Sequence, residues 1–207
     1  MSRLILASAS PRRRELLLSH GAVFEVRPTD TEECRPAGMS AWHLVRYLAE
    51  EKAKACLASV RAAAPTFDLA ADDLILAADT VVEAPDGEIL GKPTGREDAL
   101  RMLHLLSGAV HRVWSGAALF SGDGQTQISA VEGTQIAFRL LSDSEIASYV
   151  AGGEPMDKAG AYAIQGGGGN FVQAIEGDFE NVVGLPVGLV ETLLKNKFGK
   201  KLSDFGK

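Results

Sequence analysis

Short apolar runs alternate with segments of helical periodicity along the chain. Residues 4–7 and 74–78 are apolar runs of the length that forms buried strands, and residues 110–120 and 127–138 indicate two longer strands joined by a turn at Gly122. Some of these strands are linked by helices and others by hairpins. We therefore predict an α/β fold in which one elongated, mixed β-sheet is flanked by helices on both sides.

Polar or proline residues mark the predicted helix starts. Five helices are predicted to begin at or just after such residues: Ser10, Ser40, Thr94, Ser142 and Pro186. Thr94 and Ser142 are each followed three positions later by a glutamate, which is the spacing of a capping box. The final residues 195–207 are basic and are predicted to form a tail of uncertain order.

Composition narrows the classes of function. The chain has 207 residues, of which 46% are hydrophobic and 23% charged, and this fits one folded domain over residues 1–207 with room for two lobes. A net charge of −6 with 6% aromatic residues disfavours a general nucleic-acid binder, although a local basic pocket remains compatible with it.

The sequence gives little sign of membrane or export segments. No run approaches the roughly 18 apolar residues of a membrane span, and the opening apolar run is too short for a secretory signal. The two cysteines, Cys34 and Cys56, form no zinc or disulfide pattern. A reducing cytosol is the expected location.

A cationic segment follows the first predicted strand. Residues 8–14 read Ser-Ala-Ser-Pro-Arg-Arg-Arg and open a helix, so free backbone N–H groups and the positive end of the helix dipole meet there. Three arginines in a first turn oppose that dipole unless an anion docks beside them, and guanidinium groups match phosphate oxygens. The segment indicates a polyphosphate site; a solvated first turn with surface arginines is the alternative.

An aspartate interrupts an apolar run. Asp79 is predicted to break the strand that starts at residue 74, with the strand resuming at Val81. Because an unpaired buried charge costs several kcal/mol, Asp79 must cap a strand end, pair with a cation or bind a metal. Because ligands of open α/β sheets bind at the carboxyl ends of strands, we favour a functional role for Asp79.

Two lysines and a pair of loop glutamates are further candidates. Lys52 breaks the apolar face of its predicted helix, where the alternative is a side chain that extends to solvent at the edge of the core. Lys92 lies in a stiff loop before a helix and could be an exposed lysine. Glu32 and Glu33 could be solvated acids, or could join Asp79 in a hard-oxygen site for Mg²⁺.

A polar segment late in the chain contains Gln165, whose amide offers both a donor and an acceptor to the edge of a nucleobase. Four glycines follow at residues 166–169. They are not a dinucleotide fingerprint, because no strand immediately precedes them and no helix follows; a mobile loop is the alternative.

Taken in order, these segments resemble the Maf family of septum-formation Maf-like proteins, which are nucleoside triphosphate pyrophosphatases. The matching pieces span about residues 4–190. They are Ser8-Ala9-Ser10-Pro11-Arg12-Arg13, Glu51-Lys52-Ala53, Ala78-Asp79-Thr80-Val81-Val82, Gly91-Lys92-Pro93, Leu106-Ser107-Gly108 with His111, Asp157-Lys158-Ala159-Gly160-Ala161-Tyr162 with Ile164-Gln165-Gly166, and Gly184-Leu185-Pro186.

The resemblance implies a fold like that of inosine triphosphate pyrophosphatases, with two lobes and a central nucleotide cleft, and often a homodimer. It implies a cytoplasmic hydrolase that cleaves nucleotides between the α- and β-phosphates with a divalent cation, Mg²⁺ or Mn²⁺, in a nucleotide-pool house-cleaning role.

The resemblance also assigns roles to individual residues. Asp79 matches the family's proton acceptor and, with the loop carboxylate Glu32, would hold the metal. The positions that handle phosphate in the family are Ser8, Arg13, Lys52 and Lys92. The positions that discriminate substrate are Arg12, Thr80 and Gln165, a set that looks like the dTTP/UTP branch.

Three other functions compete with this interpretation. The 7-methyl-GTP branch of the same family tends to carry Trp, Gln and Glu at the discriminating positions. A regulatory module in division control would bind nucleotides without turnover, and would need neither Asp79 nor a metal. An oligonucleotide binder would need a basic stripe with interleaved aromatic residues, which the net charge of −6 disfavours.

Overall fold

The computed structural model describes residues 2–29, 36, 38–63 and 68–205. The described residues form seven strands, numbered in chain order β1 Leu4–Leu6, β2 Glu25–Val26, β3 Leu74–Glu83, β4 Ile89–Leu90, β5 Val110–Ser121, β6 Gln127–Phe138 and β7 Val172–Glu176. The α-helices of this part of the chain are α1 Pro11–Ser19, α2 Ala41–Ala62, α3 Arg96–Leu106, α4 Asp143–Ala151, α5 Phe179–Val183 and α6 Val187–Leu193.

The strands form one mixed sheet, as predicted, and helices flank it. The strand order is β2-β1-β3-β5-β6-β7, and β4 pairs with β3. Strands β1, β2 and β3 run parallel, with Leu6 opposite Leu76. Strand β4 is antiparallel to β3, and β7 is antiparallel to β6. The short turn at residues 85–87 closes the β3–β4 hairpin that Pro85-Asp86-Gly87 predicts.

The chain divides into two compact units. The first unit contains Met1–Asp79, Ser115–Glu132 and Gly184–Lys207, and the second contains Thr80–Trp114 and Gly133–Val183. Across the described ranges, no helix has the length and apolar character that crossing a membrane requires.

Helix α2 packs against strands β1 and β3 in the core of the first unit. Ala49 and Ala53 of α2 share this core with Ile5 of β1 and with Ile75 and Ala77 of β3. Alanines permit a close approach of the helix to the sheet. Gly116 of β5 permits a closer one still, because a Cβ there would lie 2.2 Å from the carbonyl oxygen of Val45.

The core of the second unit is rich in aromatic rings. Phe138 of β6 makes edge-to-face contacts with His111, Tyr162 and Phe171, whose ring centroids lie 4.7, 4.8 and 5.9 Å away. The imidazole Nε2 of His111 lies 2.9 Å from the hydroxyl of Tyr162. Burial lowers the pKa of His111 to about 4, so the ring stays neutral near pH 7.

Two predictions about local structure are wrong. Strand β3 is continuous through Asp79, because an ion pair described below compensates the buried charge. Thr94 forms no capping box; α3 begins after Gly95, and Thr94 instead donates its backbone N–H to Asp98 at 3.0 Å. In the basic tail, whose order the sequence left open, Leu194–Phe198 and Leu202–Asp204 form short helical segments, and Phe205 is 2% exposed.

Candidate active site

The cationic segment after β1 is organised around a buried serine. Ser8 is 8% exposed, and its Oγ accepts hydrogen bonds from the backbone N–H of Ser10 at 3.2 Å and from Nη1 of Arg13 at 3.1 Å. Nε of Arg13 donates to the carbonyl oxygen of Gly184 at 2.8 Å. The guanidinium is therefore fixed from two sides at the start of α1.

Helix α1 begins as predicted, with Ser10 in an extended conformation ahead of Pro11. The hydroxyl of Ser10 makes no capping hydrogen bond, and the first turn contains no acidic residue. Arg12 is half-buried in that turn. The start of α1 thus combines backbone N–H groups, a hydroxyl and guanidinium groups, a donor set that suits an anion.

A buried ion pair lies between α2 and β3. Nζ of Lys52 donates to Oδ1 of Asp79, and the two side chains are 15% and 9% exposed. Lys52 therefore does not extend to solvent. The alternative that the sequence left open for it, a side chain reaching water at the edge of the core, is wrong. Asp79 pairs with a cation, which was one of the three roles left open for it.

Ser8 follows β1, and Asp79 lies further along β3, the parallel neighbour of β1. Leu6 pairs with Leu76, and the backbone N–H of Ala7 donates to the carbonyl of Leu76 at 2.8 Å. The first unit thus holds both Ser8, at the end of one strand, and the buried carboxylate of Asp79 on the neighbouring strand.

The described residues contain no cluster of three or more His, Cys, Asp or Glu side chains that could hold a metal ion. Glu32, the other predicted ligand, lies outside the described residues. Mg²⁺ in nucleotide enzymes is commonly bound by one or two carboxylates and completed by substrate phosphates and water. The buried carboxylate of Asp79 fits that kind of partial site as one carboxylate ligand.

The remaining predicted site residues lie in the second unit. Thr80 is half-buried on β3, Lys92 is exposed between β4 and α3, and Gln165 is exposed in the late loop. The loop of Lys92 is tied to the late segment, because the backbone N–H of Gly160 donates to the carbonyl of Gly91 at 3.0 Å.

Sequence reasoning missed two groups of contacts. Gly184 was recognised only as part of a motif, although its carbonyl orients Arg13; a backbone acceptor leaves no signal in side-chain chemistry. Tyr149 and Glu154 were not singled out, although both bond to the glycine-rich loop. Glu154 lies 12 positions before Gly166, so the sequence alone gives no signal for these contacts.

The family match and the similar proteins agree on one family. The family described as Maf-like protein matches residues 3–197. A protein named dTTP/UTP pyrophosphatase from Yersinia pestis bv. Antiqua is 49% identical over 193 residues, which cover 93% of this chain and 90% of that protein. Proteins of the same name from Alkaliphilus oremlandii and Pelotomaculum thermopropionicum are 45% and 41% identical, and each alignment covers 96% of this chain and 97% and 98% of those proteins.

Among solved structures, a dITP/XTP pyrophosphatase from Mycobacterium abscessus aligns with a TM-score of 0.38 and 16% identity, over 66% of this chain and 74% of that chain. A likeness this weak supports no argument, so the predicted kinship with inosine triphosphate pyrophosphatases stays a prediction.

Proposed function

This chain is a member of the Maf-like protein family, and from that premise we propose that it is a nucleoside triphosphate pyrophosphatase that hydrolyses dTTP and UTP to the monophosphate and pyrophosphate. The shared name of its relatives supports the substrate class. The observation that carries the proposal is the buried Lys52–Asp79 pair, in the same unit as the Ser8–Arg13 anion site.

The phosphate chain is the first obstacle to the reaction. A triphosphate carries about four negative charges near neutral pH, which oppose the approach of a nucleophile. Arg13, held by Ser8 and Gly184, presents a fixed guanidinium, and the N–H groups at the start of α1 add to the positive potential. These groups would stabilise the charge that develops on the departing pyrophosphate.

Asp79 is the proposed proton acceptor. It takes a proton from the water that attacks the α-phosphorus; the new P–O bond forms as the bond from the α-phosphorus to the bridging oxygen breaks, and pyrophosphate leaves. Lys52 fixes the direction of the carboxylate through its hydrogen bond to Oδ1. General-base assistance of this kind contributes about 10²- to 10⁴-fold to the rate.

A divalent cation, Mg²⁺ or Mn²⁺, would be held by Asp79, with Glu32 as a further ligand. When bound, it supplies charge neutralisation on the phosphates. If Asp79 holds the cation, the role of base is divided between Asp79 and Glu32. Lys92 is proposed as a further phosphate ligand, and Arg12, Thr80 and Gln165 as the residues that select the base; these roles follow the family pattern.

A nucleotide panel tests the proposal. The purified chain is mixed with dTTP, UTP, CTP, GTP or 7-methyl-GTP and Mg²⁺, and the monophosphate and pyrophosphate are quantified. We expect equal amounts of the two products, fastest from dTTP and UTP, and no activity after chelation until Mg²⁺ or Mn²⁺ is restored. Binding of UTP without pyrophosphate release would favour the regulatory module, and faster turnover of 7-methyl-GTP would favour the other branch.

A further inference from the structure

The loop that carries Gln165 is fastened by two side chains that the proposed mechanism does not use. Oε2 of Glu154 accepts the backbone N–H of Gly167 at 3.1 Å, and Oε1 accepts the phenol hydrogen of Tyr149 at 2.9 Å. The oxygen of Tyr149 in turn accepts the backbone N–H of Ala163 at 3.0 Å. The loop is therefore held on both sides of Gln165.

The glycine run fits this arrangement closely. A Cβ on Gly166 would lie 2.2 Å from Oε1 of Glu154, and one on Gly168 would lie 2.9 Å from the Tyr149 hydroxyl. Side chains at these positions would displace the carboxylate and the phenol. The glycines are thus required by close approach of the backbone to Glu154 and Tyr149, which gives the run a role other than that of a mobile loop.

The turn between the two anchors is tight. The backbone N–H of Gly166 donates to the carbonyl of Ala163 at 3.1 Å, so Gln165 lies inside a hydrogen-bonded turn with its side chain exposed. A base-reading amide must present its donor and its acceptor in register with the edge of the base, and small misplacements of a positioned group cost large factors in rate. The direction of Gln165 consequently depends on the two anchors.

We propose that Tyr149 and Glu154 are positioning residues for Gln165 and that they set the preference for pyrimidine over purine nucleotides. This inference rests on the proposed function. Burial is the main cause that raises the pKa of Tyr149, so the phenol remains a hydrogen-bond donor to Glu154 throughout the neutral range.

The test compares base selection with phosphate binding. Tyr149→Phe removes the hydroxyl and leaves the Ala163 N–H unpaired, and Glu154→Gln replaces an acceptor with an amide that cannot accept from Gly167 and from Tyr149 equally well. For each variant, kcat and KM are measured with UTP and GTP, and the Ki of inorganic tripolyphosphate, a base-free competitor, is measured against UTP. Ser148→Ala, at an exposed position of the same helix, is the matched control.

We expect the ratio of kcat/KM for UTP to that for GTP to fall about tenfold in both variants, mainly through KM for UTP. The Ki of tripolyphosphate should stay within about twofold, as it should in Ser148→Ala. An unchanged ratio, or a parallel loss of tripolyphosphate binding, would overturn the inference. If Tyr149→Phe does not fold, Glu154→Gln decides alone, and thermal melting identifies that case.

A double-mutant cycle separates positioning from general loosening. In a Gln165→Ala background, Tyr149→Phe should leave the UTP-to-GTP ratio unchanged, because the residue through which it acts is gone. A further independent fall in that ratio would contradict the inference. Failure of the wild-type chain to hydrolyse UTP, or an unchanged ratio in Gln165→Ala alone, would instead contradict the proposed function.

Discussion

Two buried aspartates flank the first half of strand β3, and they are held very differently. Asp73, 0% exposed just before the strand, accepts from the backbone N–H of Arg3 at 2.7 Å, from Nε and Nη2 of the same arginine at 3.1 and 2.6 Å, and from the N–H of Ala70 at 2.9 Å. Asp79, 6% exposed within the strand, is paired with the single ammonium of Lys52.

Burial alone therefore does not distinguish a carboxylate with a structural role from a candidate catalytic one. Asp73 joins the N-terminal segment to the strand, and its oxygens are engaged by four hydrogen bonds from its own unit. Burial alone would raise the pKa of Asp73, but the hydrogen bonds from Arg3 and Ala70 outweigh it and lower that pKa below its ordinary value. Asp79 is aligned by the ammonium of Lys52, and it is the carboxylate that we propose as the proton acceptor.

The largest expected effect is a loss of activity on substitution of Asp79, which substitution of Asp73 should not cause. Asp79→Asn should lower kcat for UTP by about 10³-fold while nucleotide affinity changes only a few fold, because the amide cannot accept the proton. Steady-state kinetics and equilibrium binding of UMP measure the two quantities. Near-normal kcat would show that Asp79 is not the base.

The free energy of unfolding should depend on pH through His111. This dependence must be measured before the stabilities of the aspartate variants are compared. The pKa of His111 is about 4 in the folded protein, below the ordinary value of 6.5, so the unfolded chain binds more protons between those values. Stability is therefore full above pH 6.5 and falls as pH falls towards 4, by about 3 kcal/mol. Urea unfolding from pH 7.5 to 4 should show this slope, and His111→Gln should remove most of it.

Asp73→Asn sharpens the comparison from the structural side. The substitution places an amide against donors from Arg3 and Ala70, so it should lower the free energy of unfolding by about 2 kcal/mol. In the wild type, the stabilisation from Asp73 should also persist to a lower pH than the stabilisation from His111. The pKa of Asp73 is lowered, so its ion pair with Arg3 is lost only as the pH falls through that lowered pKa. At a temperature where the variant is folded, kcat should match wild type; a loss like that of Asp79→Asn would erase the distinction.

The smallest effect comes from a carboxylate added at an exposed position. Gln165→Glu replaces an amide donor with an acceptor, so the preference for UTP over GTP should weaken about tenfold, with the melting temperature unchanged. Relative rates across the nucleotide panel measure it. Identical relative rates in the variant and the wild type would count against base reading by Gln165.

Periodicity and caps predicted much of the fold. The mixed sheet, the long strands β5 and β6, the start of helix α1 at Pro11 and the capping box of Ser142 are all confirmed. The break predicted at Asp79 was wrong because the ion pair with Lys52 is made between elements 27 positions apart, which local pattern does not encode.

The candidate site was predictable only in part. Arginines at a helix start and a lysine on an apolar helix face are local signals, and the structure pairs them with Ser8 and Asp79 respectively. The Gly184 carbonyl that holds Arg13 lies 171 positions away and belongs to the backbone, so no side-chain pattern announces it. Tyr149 and Glu154 were hidden for a similar reason, since their partners are backbone N–H groups.

The most direct test of the central claim is a single turnover of UTP in H₂¹⁸O with the enzyme in excess. If Asp79 directs water onto the α-phosphorus, one ¹⁸O atom will be found in UMP and none in pyrophosphate in the first turnover. Label in pyrophosphate, or an unlabelled first UMP, would contradict direct attack of water at that phosphorus and the role given to Asp79.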